Sequence, residues 1–168
     1  LNPLITGVPS LSIAPDARGG GMGDVGAATS PDVNSQYWNP AKYAFVEDAA
    51  GISLSYTPWL RKLVSDINLA YLAGYYKLDE NQSISGSLRY FSLGQVDLTD
   101  VNGVSQGNTK PSEFALDVAY TRKLSDNFSG GVTLRYIHSD LGGGMISDMW
   151  PANAFSADVS AFYTQSVT

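Results

Sequence analysis

The chain has no cysteine, which excludes disulfides and thiolate metal sites without fixing the compartment. It has one histidine, His138, so a His pair or His-rich metal site is excluded as well. No run of 18 apolar residues occurs, and so no candidate for a membrane-spanning helix. Basic residues are scarce: ten Lys and Arg face sixteen Asp and Glu, for a net charge of -6, and they form no cluster. Nucleic acid is therefore not an expected partner. Nor does a charged-then-apolar leader open the sequence, which begins at Leu1 in the form expected of a mature or trimmed product.

Glycine, tyrosine and alternation are what the sequence has in quantity. Seventeen Gly and ten Tyr, with 15% charged residues, suit a sheet-rich domain, or part of one, over 168 residues. The mean hydropathy of -0.08 looks soluble, but a barrel with a wet lumen averages the same way. The stretch Asp66 to Gly94 sets the pattern. Ile67, Leu69, Tyr71, Ala73 and Tyr75 share one parity, with Asp66, Asn68 and Gly74 on the other. After Asp79-Glu80-Asn81, Ile84, Gly86, Leu88 and Tyr90 alternate with Ser83, Ser85, Ser87 and Arg89. Period two around a short Asp/Asn turn predicts an antiparallel hairpin. Arms of about a dozen residues are twice an ordinary strand and suit a tilted crossing of a bilayer.

The pattern recurs, predicting strands over 51–58, 66–78, 82–94, 113–124, 128–138 and 154–164. Tight turns (LDENQS, LSDNFS) alternate with longer loops, among them a Gly/Asn-rich one from Gln95 to Ser112. Outer-membrane barrels have this asymmetry, with the short turns on the periplasmic side. Mid-strand Asp66, Arg89, Asp117, Arg135 and Asp158 all fall on the polar parity, which predicts a polar network inside a water-filled lumen. Lys77 and Arg122 fall on the apolar parity, but beside tight turns, where long side chains reach headgroups. Rings sit at the ends of the apolar faces: Phe114 and Tyr120, Phe128 and Tyr136, Phe155 and Tyr163. That is an aromatic girdle.

The expected fold is therefore all-β: a transmembrane antiparallel β-barrel over 49–168, its apolar faces turned to outer-membrane lipid. Six strands cannot close a barrel, and open edges are not tolerated in lipid, so the chain is expected to be the N-terminal part of a longer barrel. A soluble β-sandwich also alternates, but its strands are usually shorter and its buried faces have no reason to end in aromatics. Residues 1–48 do not alternate. Pro3, Pro9, Pro15, Pro31 and Pro40 and the run Gly19-Gly20-Gly21 predict irregular backbone, with a helical turn after Ser30 that begins at Pro31. Such a segment is stable only when packed against something larger, and it reads as a hatch or plug.

Catalytic chemistry is not expected. Gly21-Met22-Gly23-Asp24-Val25-Gly26 matches GxGxxG, but no hydrophobic strand precedes it and Pro31 soon follows. Tight turns in a packed plug account for these glycines better. His138 lies on the apolar parity at the loop end of its strand, an interfacial place without a nucleophile elbow nearby. No metal or cofactor is implied. Exposed apolar residues in the longer loops, Trp59 and Leu60 in the first and Met145, Met149, Trp150 and Pro151 in the last, are the candidates for docking a partner. Both tryptophans also suit membrane anchoring.

Asn39-Pro40-Ala41, behind the Gly-rich segment and just before the first strand, resembles the NPA fingerprint of FadL-family outer-membrane proteins. The wider stretch PDARGGGMGDVGAATSPDVNSQYWNPAKYAF, followed by SYTPWLRKLVSDINLAYLAGYY and SGSLRYFSLG, is similar to the PorV (LptO) family of the type IX secretion system of Bacteroidetes. The resemblance implies a barrel of about 14 strands closed by the hatch, with Asn39, Pro40 and Ala41 as hatch-to-barrel contacts. It implies no enzyme, but a protein that binds the C-terminal signal domain of secreted cargo at the SprA/Sov-type translocon and passes it to the cell-surface attachment complex. The alternative is a FadL-like channel for small hydrophobic molecules, which predicts an apolar pocket between hatch and wall.

Overall fold

The computed structural model describes residues 7–58, 66–142 and 150–165. Its strands are β1 (Ala50–Pro58), β2 (Ile67–Lys77), β3 (Gln82–Leu93), β4 (Val96–Thr99), β5 (Ser105–Thr109), β6 (Ser112–Ser125), β7 (Phe128–Asp140) and β8 (Ala152–Tyr163). Six of them make one antiparallel sheet in the order β1-β2-β3-β6-β7-β8. The Gln95–Ser112 stretch, expected as a plain loop, holds the separate hairpin β4–β5. Its β4 alternates Val96 and Leu98 with Asp97 and Thr99 over four residues only, and its β5 has no aliphatic residue. Its pairing rests instead on the Asp100 turn, where Gly103 takes a positive φ of 80°.

The tight turns close through side-chain chemistry. Asp79 Oδ1 accepts from Asn81 N at 2.7 Å and its Oδ2 from Gln82 Nε2 at 2.6 Å, a local bridge that brings β2 back against β3. A register shift between Lys123 and Ser125 does the equivalent work before β7. One end of the sheet therefore carries short turns and the other carries the long loops.

The sheet is inverted relative to a soluble one. Ser83, Ser85, Ser87, Arg89, Asp117, Thr121, Ser129 and Thr133 are buried, while Val118, Leu134 and Val159 are 58%, 64% and 86% exposed. The girdle rings lie on this exposed side. At the loop end Tyr136 packs on both Phe114 and Phe155, and Phe114 on His138. Phe128 and Tyr136 are eight residues apart in β7, as are Phe155 and Tyr163 in β8. At about 3.3 Å per residue, each pair brackets an apolar stretch roughly 26 Å long, measured along the strand.

In β2 the faces are the reverse of those predicted. Leu69, Tyr71, Ala73 and Tyr75 are buried, and Leu72 and Tyr76 look outward. Register decides this, because Leu72 pairs with Leu88 and Tyr76 with Ile84, placing the outward aliphatics of both strands together. Lys77 consequently lies on the inner face, where Nζ donates to the Val46 carbonyl at 3.0 Å rather than reaching outward.

The inner face is covered by residues 7–48. These fold as a 3₁₀ turn (Pro9–Ser12), helix α1 (Ala17–Gly21), helix α2 (Ser35–Trp38) and a second 3₁₀ turn (Pro40–Phe45). Proline occupies the start of both 3₁₀ turns, where a missing N–H costs nothing. The turn expected at Pro31 is not formed; the helix begins four residues later, at Ser35. Asp32 accounts for the difference: its Oδ1 accepts from Asn34 N at 3.0 Å and makes an Asx turn ahead of the helix. The apolar core lies between segment and sheet, with Tyr43 stacked on Tyr75 at 4.9 Å and Val46 and Val33 beside them.

Candidate functional site

The firmest contacts between segment and sheet come from three consecutive residues. Asn39 Oδ1 caps the second 3₁₀ turn by accepting from Ala41 N at 3.1 Å, which leaves Nδ2 free to donate to the Ala161 carbonyl of β8 at 3.0 Å and to Ala27 O at 3.1 Å. The Pro40 carbonyl accepts from Thr121 Oγ1 of β6 at 3.0 Å, and the Ala41 carbonyl from Ser129 Oγ of β7 at 2.6 Å. Three successive residues thus bond three different strands near the short-turn end. Ser85 Oγ adds a bond to Gln36 Oε1 at 2.6 Å. Lys42 is fully buried and donates to Gly26 O at 2.8 Å and Thr29 Oγ1 at 3.1 Å. Burial pushes this ammonium below the usual lysine range, opposed by the nearby Asp32 charge.

Sequence reasoning missed Thr121, Ser129, Ser85 and Gln36. On the strands, a hydroxyl that anchors the segment looks the same as one that merely lines a polar face.

Of the five residues expected to form one charged network, the structure brings three together. Asp117 accepts from Arg135 through Nε at 2.7 Å and Nη2 at 3.3 Å, and from Ser87 Oγ at 3.2 Å. Asp158 lies 3.5 Å from Arg135 Nη1 on the more exposed β8. Two-point bonding of a guanidinium suits a buried carboxylate. Asp66 does not join: it is exposed, just before β2, on the parity that the register turns outward. Arg89 is buried on the inner face but pairs with backbone rather than carboxylate. Its guanidinium donates to the carbonyls of Ser10 and Ile13 and lies 4.8 Å over the Tyr37 ring. Beside it a cavity of about 290 Å³ separates Leu11, Tyr37 and Trp38 from Tyr71, Arg89, Ala115, Asp117 and Arg135.

The GxGxxG match starts on the last residue of helix α1, Gly21, and runs on from that helix instead of leading into one. Gly23 and Asp24 turn the chain with positive φ, and a Cβ at Gly19 or Gly26 would run into the Trp38 indole. That indole donates from Nε1 to Asp16 Oδ1 at 2.8 Å, and Asp16 also caps α1. Packing explains the motif. His138 lies on the outer face with Nδ1 2.8 Å from Asn153 Oδ1. Among the described residues no group of His, Asp and Glu side chains is placed to hold a metal ion.

At the long-loop end Trp150 is 83% exposed and Pro151 is exposed as well. Val8, Ile137, Leu141 and Ala154 line an apolar depression beside the indole. Trp59, Leu60, Met145 and Met149 lie outside the described residues. The β4–β5 hairpin puts Val101 at its tip, fully exposed. Asp100 accepts there from Asn102 N at 2.8 Å and Val104 N at 2.9 Å, which holds its carboxyl below the usual carboxylate range.

A family model described as "Type IX secretion system protein PorV" matches residues 2–167. The chain belongs to the PorV family. No curated protein matches it significantly. Membership makes it a type IX secretion system component. In PorV-family terms the chain supplies a sheet that is polar within and apolar without, a segment bonded across its inner face, and a loop end with an exposed indole.

Proposed function

We propose that this PorV-family chain forms the N-terminal part of an outer-membrane β-barrel, FadL-like and of about 14 strands, with residues 1–48 as its hatch. The observation that carries the reading is the inverted sheet: hydroxyls and ion pairs inside, a continuous aliphatic face outside. Water would penalise that outer face far beyond the few hundred Å² of apolar patch that soluble monomers tolerate, whereas acyl chains do not. Both sheet edges, β1 and β8, require partner strands in lipid, which the remaining strands of such a barrel supply.

In this reading the role is non-catalytic. The protein binds the C-terminal signal domain of secreted cargo as it leaves the SprA/Sov-type translocon and hands it to the attachment complex. The loop end is the docking side, and Trp150 is the described residue best placed for it, as an exposed aromatic beside an apolar depression. A channel for small hydrophobic molecules is less well supported, because the cavity between segment and wall is lined by Arg89, Asp117 and Arg135. Fractionating membranes and identifying co-purifying proteins by mass spectrometry tests the assignment. With Trp150→Ala, cargo recovery is expected to fall while barrel abundance holds; undiminished recovery removes Trp150 from the docking site.

A further inference from the structure

One cation stands on the greasy side of the sheet. Among the described residues, Arg122 is the one lysine or arginine of the long strands on the outward parity; Lys77, Arg89, Lys123 and Arg135 share the inward one. Arg122 is exposed at the short-turn end of β6 and makes no ion pair with another described residue. Asp79, in the turn that meets β6 where Lys123 N donates to the Asn81 carbonyl at 2.7 Å, is engaged with Asn81 and Gln82. Gln82, which pairs with Arg122 across the sheet, is engaged as well, since its Oε1 accepts from the Tyr120 hydroxyl.

Four residues back along β6, about 13 Å at about 3.3 Å per residue, the outer face is dented. Gly74 pairs with Gly86 and Gly86 with Val118, so two neighbouring strands lack an outward side chain at the same level. The ladder through all three is unbroken, which makes the dent a groove over paired backbone and not a passage through the sheet. It consists of two adjoining depressions of about 330 and 260 Å³. Leu72, Leu88 and Leu116 wall it toward the loops, and Tyr76 and Ile84 toward the short turns. A cation without a protein partner and an apolar groove deeper on the same strand pair match the two ends of one amphiphile.

We propose that the outer face of β2, β3 and β6 holds one glycerophospholipid of the short-turn leaflet, its phosphate on the Arg122 guanidinium and one acyl chain in the Gly74–Gly86 groove. The site rests on the outward face meeting acyl chains. Phosphate suits the planar donor fork of arginine, and the glycerol and first methylenes bridge from Arg122 past Tyr120 to the groove. A protein partner would have to bring an acid to Arg122 inside the interface, whereas a phospholipid carries its anion at that depth.

The full-length protein is inserted into vesicles of phosphatidylglycerol with two oleoyl chains, extracted in mild detergent, and its retained lipid counted by native mass spectrometry. A Cβ at Gly74 or Gly86 would press on the carbonyls of Gly51 and Asp117 at 3.1 and 3.0 Å, so the groove is filled from its side with Val118→Phe. One lipid is expected to stay on the parent. Arg122→Gln, which removes the charge, and Val118→Phe, which displaces methylenes, should each lower its retention about tenfold. Val159→Phe, outward on β8 and away from the groove, leaves retention unchanged. Undiminished retention in either Arg122→Gln or Val118→Phe overturns the site, as does an equal loss in Val159→Phe. So does equal retention by the parent of phosphatidylglycerol with two hexanoyl chains, a comparison that decides the matter where a variant does not accumulate. A parent that fails to insert into vesicles at all overturns instead the membrane reading beneath the site.

Discussion

Leu134→Arg separates a lipid-facing sheet from a water-facing one with a single side chain. Leu134 is the middle residue of β7, outward and well exposed, flanked across the sheet by Val118 and Ala157. On a water-facing surface such a change stays within about ±0.5 kcal/mol. On the lipid face of a barrel, an arginine at mid-depth costs about 2–4 kcal/mol and one near the interface about 0–1. A loss of 2–4 kcal/mol lowers the folding constant roughly 30- to 1000-fold, at about 1.4 kcal/mol per tenfold. Tyr163→Arg, also outward but at the short-turn end of β8, is the depth control. The full-length protein is folded into phospholipid vesicles and titrated with urea, with the folded fraction read from heat-modifiable gel migration. A large loss at Leu134 and a small one at Tyr163 is the expected result. Equal stability of Leu134→Arg and the parent, or equal losses at the two depths, would refute the orientation of the sheet.

Three further outcomes follow from the same contacts. Thr121→Val removes the donor to the buried Pro40 carbonyl and should cost about 1–3 kcal/mol, read as faster proteolysis of the N-terminal segment with the barrel intact. Gly26→Ala drives a methyl into the Trp38 indole and should destabilise the segment by about 1–3 kcal/mol; normal protease resistance would contradict that packing. The Asp100 carboxyl titrates below its free value in the folded hairpin, so its contribution to the tip is present above the ordinary carboxylate range and lost as pH falls through the lowered value. Protection of the Asn102 and Val104 amides, taken as exchange relative to the intrinsic rate at each pH, should fall across that acid window in the parent, and be low throughout in Asp100→Ala.

Much of this was legible in the residues. Strict alternation placed the long strands, because a period of two has one structural meaning when sustained over ten residues. It also assigned the faces of β6, β7 and β8, where serines and charges oppose aliphatics. It failed in β2, where both parities are apolar: Leu69 and Tyr71 on one, Leu72 and Tyr76 on the other. Asp66 then swung the reading, although it lies outside the strand. The β4–β5 hairpin was invisible for a different reason: β4 alternates over only four residues, and β5 carries no apolar residue to answer it.

Composition and periodicity by themselves determined that the chain is a sheet of long strands with one greasy and one polar side, because local pattern is sufficient for that. They could not determine what each polar side chain holds. Arg89 and Arg135 read identically along the sequence, yet one grips a carboxylate across a strand pair and the other two carbonyls from residues nearly eighty positions earlier. That difference exists only once the N-terminal segment crosses the inner face, since burial obliges every donor to take whichever acceptor the packing brings within reach.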